Sequence, residues 1–118
     1  MTFSLHFVHY SANNYITLNE VKAHLNIHED FDLDDALLNG YINAALEVAQ
    51  RHIGKRFSLS EEDSNETTLI FNPAIKVGCL MYIGHLYANR ESVNDLNLSI
   101  VPMTISALWD VYREPGVY

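Results

Sequence analysis

The chain has 118 residues, 48% hydrophobic and 19% charged, which excludes a wholly disordered chain and leaves room for one modest core. Fifteen acids against seven bases give a net charge of -8, a balance that disfavours groove or backbone binding to DNA by the whole domain. No apolar run reaches the roughly 18 residues that cross a bilayer, the start lacks a signal peptide's cationic segment, and the single cysteine, Cys79, excludes an internal disulfide and fits a reducing cytoplasm.

Residues 1–16 read as an extended arm in which Phe3, Leu5 and Phe7 alternate as in a strand. Strand spacing puts His6 and His9 on opposite faces. Thr17 to Glu20 is a capping box, each side chain satisfying the other residue's backbone donor. It predicts a helix over 18–26, with Val21 and Leu25 inward and Lys22 outward.

The next stretch, HEDFDLDDALL over 28–38, sets Asp30, Asp32 and Asp34 at the spacing of calcium ligands. A calcium loop also needs a glycine at its sixth position and a closing glutamate; Asp35 and Tyr41 stand there instead. A helix start explains the same residues, with Asp32 or Asp34 as cap and the acids facing the positive end of the helix dipole. From Leu38 the positions Ile42, Ala45, Ala49 and Ile53 recur at helical steps, joined by Tyr41 and Val48. Asn39, Asn43, Glu47, Gln50 and Arg51 take the other face. Gly54 closes this amphipathic helix of about 20 residues, and Arg51, His52, Lys55 and Arg56 meet its negative end.

Residues 58–70 form a polar, acidic loop, either a contact element or a solvated surface, with a short strand at 67–71. Asn72-Pro73 opens a third helix as cap and first residue. Its middle, Val77 to Ile83, is apolar almost all round and needs cover, from the centre of its own bundle or from a neighbouring subunit. Cys79 within it reads as a small buried hydrophobe rather than a nucleophile. After the polar stretch 89–99, Pro102 leads a last helix with Ile105, Leu108, Trp109 and Tyr112 on one face, ended by Pro115-Gly116. The expected fold is thus mainly all-α, a small bundle of about four helices. It carries the arm over 1–16, one helical domain over 17–114, a tail over 115–118, and a long acidic loop with room for a short hairpin.

Chemistry-bearing groups are sparse. Glu20, His24 and His28 would line up if the first helix continued, as a metal site or hydrolytic centre; a tetrahedral site needs a further ligand from elsewhere, and His28 falls beyond the expected helix end. His52 and His85 read as polar edges of the packing. No phosphate-binding glycine loop, nucleophile elbow or paired-cysteine motif occurs, so no catalytic residue, metal ligand or cofactor site is assigned. A helix-turn-helix regulator, the main alternative, would need a basic recognition helix, and residues 34–50 contain neither Lys nor Arg.

The run Ile16 to Ile27, the acids Asp30 to Asp35 and the long helix closing on Ile53-Gly54-Lys55-Arg56 resemble the first half of the head–tail connector (adaptor) family of long-tailed double-stranded DNA phages. The second half is similar in Pro73 to Lys76, in Leu86-Tyr87-Ala88-Asn89-Arg90-Glu91, and in Val101-Pro102 leading to Ala107-Leu108-Trp109 and Tyr112-Arg113. The likeness covers about residues 16–113 and departs from the family in a longer leader and in Leu108-Trp109 where a double leucine is usual. It implies a mostly helical, non-enzymatic subunit of the virion neck, present in the host cytoplasm before assembly. Such subunits form a homo-oligomeric ring beneath the portal protein, extend the channel through which DNA passes without specific binding, and seat the next neck or tail-completion protein. Arg90, Glu91 and Arg113 are the implied interface residues, with helix capping and surface ion pairs as their alternative role.

Overall fold

A computed structural model of the protein describes residues 14–59, 68–89 and 101–113. Most of the arm with His6 and His9, most of the acidic loop, Arg90, Glu91 and Pro115-Gly116 lie outside these residues.

Among the described residues, four helices and two short strands follow in chain order: α1 Leu18–His24, α2 Asp35–Ile53, β1 Arg56–Ser58, β2 Thr68–Ile70, α3 Pro73–Ala88 and α4 Met103–Asp110. The mainly helical bundle is as expected, and the start of α1, the end of α2 and the start of α3 are the ones written in the sequence, whereas α1 ends at His24 and α4 at Asp110, short of Pro115-Gly116. At α1, Thr17 Oγ1 accepts from the Glu20 N–H at 3.1 Å and Glu20 Oε1 accepts from the Thr17 N–H at 2.8 Å. Gly54 ends α2 with φ 85°, a left-handed conformation that glycine adopts without a side-chain clash. Asn72 caps α3 by accepting from the Ile75 N–H at 3.0 Å, with Pro73 at the first position.

The core is shared by α2, α3 and α4, with Tyr15, Ile16 and Val21 closing one side. From α2 come Leu38, Ile42, Ala45, Leu46, Ala49 and Ile53; α3 adds Ile75, Cys79, Tyr82, Ile83 and Leu86. Each large aliphatic side chain so buried contributes roughly 1.5–3 kcal/mol. The domain itself therefore covers the apolar α3 along much of its circumference, leaving Pro73, Ala74, Val77, His85 and Ala88 exposed. Cys79 is fully buried, and burial pushes its thiol up to about 12, which suits a packing residue. Trp109 lies across the backbone of Gly78 so closely that a Cβ there would collide with the indole, whose Nε1 points at the Ile75 carbonyl at 3.4 Å.

Three expectations need correction. Lys22, assigned to the outside of α1, is 3% exposed, because its ammonium reaches Asp35 Oδ1 at 2.8 Å and the Glu29 carbonyl at 3.1 Å. Gln50, assigned to the polar face of α2, is buried: its Nε2 donates to the Leu46 carbonyl at 3.0 Å and its Oε1 accepts from the Phe57 N–H at 2.9 Å. Such pairing offsets the cost of burying an amide. The acidic loop ends in a pair of strands, but they run parallel, Arg56 opposite Thr68 and Ser58 opposite Ile70, and not as a hairpin. Direction is set at the exit of β2. Phe71 must reach the Ser58 carbonyl and join the rings of Tyr15 and Phe57, centroids 5.2 and 5.1 Å away, while Asn72 caps α3.

Candidate assembly surfaces

The two ends of α2 are chemically opposite. At its N-terminal end, residues 28–37 form a knob held by backbone turns: Phe31 N–H to the His28 carbonyl at 3.0 Å and Asp35 N–H to the Asp32 carbonyl at 3.2 Å. The chain enters it through Asn26, whose φ of 61° is a left-handed conformation asparagine tolerates, and the Ile27 N–H binds the Lys22 carbonyl at 2.8 Å. Lys22 fastens the knob to α1 through Asp35 and Glu29, and Tyr87 of α3 fastens it by donating to Asp34 Oδ2 at 2.9 Å. Asp34 holds the cap position of α2, but its carboxylate is committed to Tyr87 and makes no cap bond. What the knob shows outward is Phe31, 40% exposed, Leu33, 83%, and Leu37, 37%, among Glu29, Asp30 and Asp32.

At the C-terminal end, the Gly54 turn presents Lys55 and Arg56, and Arg51 lies on the last turn of α2. Gln50 and the Tyr15 hydroxyl, which donates to the Phe57 carbonyl at 3.2 Å, anchor the strand that follows. Glu47 lies between two guanidinium groups, 3.2 Å from Arg51 Nε and 3.5 Å from Arg56 Nη1. Arg51 and Arg56 thus share one carboxylate. Leu59, about half exposed, follows β1 here, and α4 ends nearby with Val111, 75% exposed.

Arg113 sits in this neighbourhood. Its Nη1 is 3.8 Å from Asp110 Oδ1, the same oxygen that lies 2.5 Å from His52 Nε2. His52 in turn tilts against Trp109 with centroids 5.8 Å apart. His52 is thus the polar edge of the α2–α4 packing, and the Arg113 side chain is 19% exposed.

The structure does not bring Glu20, His24 and His28 together. α1 stops at His24, His28 is exposed with its Nδ1 beside the Asp30 N–H, and Glu20 is bound to Lys76 at 2.8 Å. Partial burial alone would pull the Glu20 carboxyl upward, but bonds from Lys76 and Thr17 and the Lys76 charge hold it below its ordinary 4.5. Among the described residues, no three His, Cys, Asp or Glu side chains gather as metal ligands, and no helix is long and apolar enough to cross a membrane.

The exposed apolar residues of the knob were not singled out in the sequence, although a signal existed. Phe31 and Leu33 precede the apolar stripe of α2 and so had no place in its buried face.

Together the bundle and its long helix define a class: a small, mainly helical subunit. The sequence matches the family model of the phage gp6-like head-tail connector proteins over residues 15–113, nearly its whole length, and the chain belongs to that family. Its role is accordingly that of a phage structural connector between head and tail. No curated protein and no solved structure matches it.

Proposed function

We propose that copies of this chain form a ring beneath the portal, extend the DNA channel and give the next neck or tail protein a platform. The observation that carries the reading is family membership over residues 15–113. The charge supports it as well. Cations bind DNA by displacing the counterions around its phosphates, and a chain with seven bases against fifteen acids offers few that can do so. Most of the described bases are also occupied within the subunit: Lys22 by Asp35, Lys76 by Glu20, Arg51 and Arg56 by Glu47, and Arg113 beside Asp110. A passing duplex would meet a wall that does not hold it.

Arg90, Glu91 and Arg113 are proposed as polar contacts between ring subunits or within them. Arg113 already has Asp110 within its own subunit, so reversing its charge will disturb folding as well as assembly. Arg90→Glu is the cleaner probe, expected to lower particle yield while the purified chain keeps its melting temperature; unchanged yield assigns Arg90 no interface role. The decisive test is deletion of the gene from its phage. Full heads without attached tails are expected, and normal yields of tailed, infectious particles would overturn the proposal.

A further inference from the structure

We infer that the N-terminal arm, residues 1–13, lies along the outer face of α4 in its own subunit and covers an apolar stripe there; this goes beyond the ring reading and does not depend on it. α4 turns Ile105 and Trp109 into the core. On its other side Met103, Ala107 and Val111 follow at four-residue steps, all exposed, Met103 by 85% and Val111 by 75%. Val111 keeps a helical conformation beyond the last turn, so the three stand in one line. A helix that packs by one face ordinarily turns polar side chains outward. Of the residues flanking this line, Thr104 is uncharged, and the Asp110 carboxylate is held by His52 and Arg113. The face therefore suits an apolar, uncharged cover.

Where the arm begins, and what it is made of, identify it as that cover. Tyr15, the buried residue at its base, packs its ring on Phe71 with centroids 5.2 Å apart. Asn72 comes next, 3.4 Å from the hydroxyl of Tyr112, the neighbour of Val111. The arm thus leaves the bundle at the Val111 end of the stripe. From Val111 to Met103 the stripe is about 12 Å long at 1.5 Å per residue, whereas 13 extended residues span about 43 Å. An extended chain sets Phe3, Leu5 and Phe7 on one face, and residues 1–13 contain no Asp, Glu, Lys or Arg, so laying them on α4 buries no charge. The other segments outside the described residues fit less well. Residues 60–67 carry Glu61, Glu62, Asp63 and Glu66 and no large apolar side chain. Residues 90–100 carry Arg90, Glu91 and Asp95, and residues 114–118 offer only Val117 and Tyr118. Tethered at Tyr15, the arm meets its own α4 at an effective concentration on the order of millimolar, which favours it over the arm of another copy.

The test is disulfide trapping in the full chain, with diamide as oxidant; the native thiol, Cys79, is fully buried. Phe7→Cys is combined with Ala107→Cys, with Met103→Cys, or with Asn43→Cys, an exposed position on α2 that serves as control. Cross-links within one chain are expected to form at least about tenfold faster at one of the two α4 positions than at the control. Adding Phe3→Ser with Leu5→Ser is expected to bring that rate down to the control, with the circular dichroism of the bundle unchanged. Equal rates at all three positions, or a fast rate that survives the loss of Phe3 and Leu5, overturn the inference. Cross-links that form only between chains also overturn it and hand the stripe to a second copy, whereas only the particle test overturns the ring.

Discussion

The side of the molecule around Trp109 and the knob before α2 are built on opposite principles. Around Trp109 the indole, Ile75, Tyr82 and Ile105 are buried, and the fit is close enough that Gly78 has no room for a methyl group. At the knob, Phe31, Leu33 and Leu37 remain exposed, and the segment is held by a few polar ties, chiefly Lys22 to Asp35 and Tyr87 to Asp34. The first region obtains its rigidity from packing. The second leaves Leu33 largely in solvent and buries Phe31 and Leu37 only in part.

This contrast can be broken by substitution, beginning with the largest expected effect. Trp109→Ala removes a fully buried indole shared by α2, α3 and α4 and should cost about 3–5 kcal/mol in chemical denaturation. A melting temperature close to wild type would mean that the packed half is not where stability resides. Gly78→Ala tests the same half from the other partner. Its methyl group forces the indole to move, and a loss of about 1–3 kcal/mol is expected.

Lys22→Ala addresses the knob. It leaves Asp35 without its ammonium and the Glu29 carbonyl without its donor, for a loss of roughly 1–3 kcal/mol. The sharper measurement is hydrogen exchange, which should accelerate over residues 28–34 while amides of α3 stay protected. Equal acceleration in both regions would erase the distinction between them.

A smaller effect should appear in acid. The folded state holds the Glu20 carboxyl below its ordinary 4.5, so its bond to Lys76 contributes stability that is complete above that value. The contribution is lost as pH falls through the lowered folded value. Lys76→Met should flatten that part of the stability–pH curve while changing stability at neutral pH by less than about 1 kcal/mol, as for other half-exposed pairs. An unchanged curve would show that the pair is not what lowers Glu20. The smallest effect on folding is expected at the knob's tip: Leu33→Ser should leave denaturant stability within about 0.5 kcal/mol. A larger loss would place Leu33 in the fold and not at a contact surface.

Much of this architecture was legible before any coordinates. The capping box at Thr17 and Glu20, the glycine stop at Gly54 and the Asn72-Pro73 start depend on groups within a few residues of one another, so short stretches of sequence specify them. The buried stripe of α2 and the burial of Ile105 and Trp109 on α4 follow equally from helical periodicity. Family membership was legible too, because it resides in the order and spacing of those same signals.

Tertiary structure decided the polar residues. Whether Lys22 lies in water or inside depends on Asp35 and Glu29 being folded against it, and Gln50 turns inward because Phe57 brings an unsatisfied N–H beside it. The direction of β2 hangs on where Phe71 finds Tyr15 and Phe57, and Asp34 gives up its cap bond for a tyrosine 53 residues away. Apolar side chains need only some interior, which periodicity announces. A polar side chain needs a particular partner at hydrogen-bond distance, and only the folded chain supplies one.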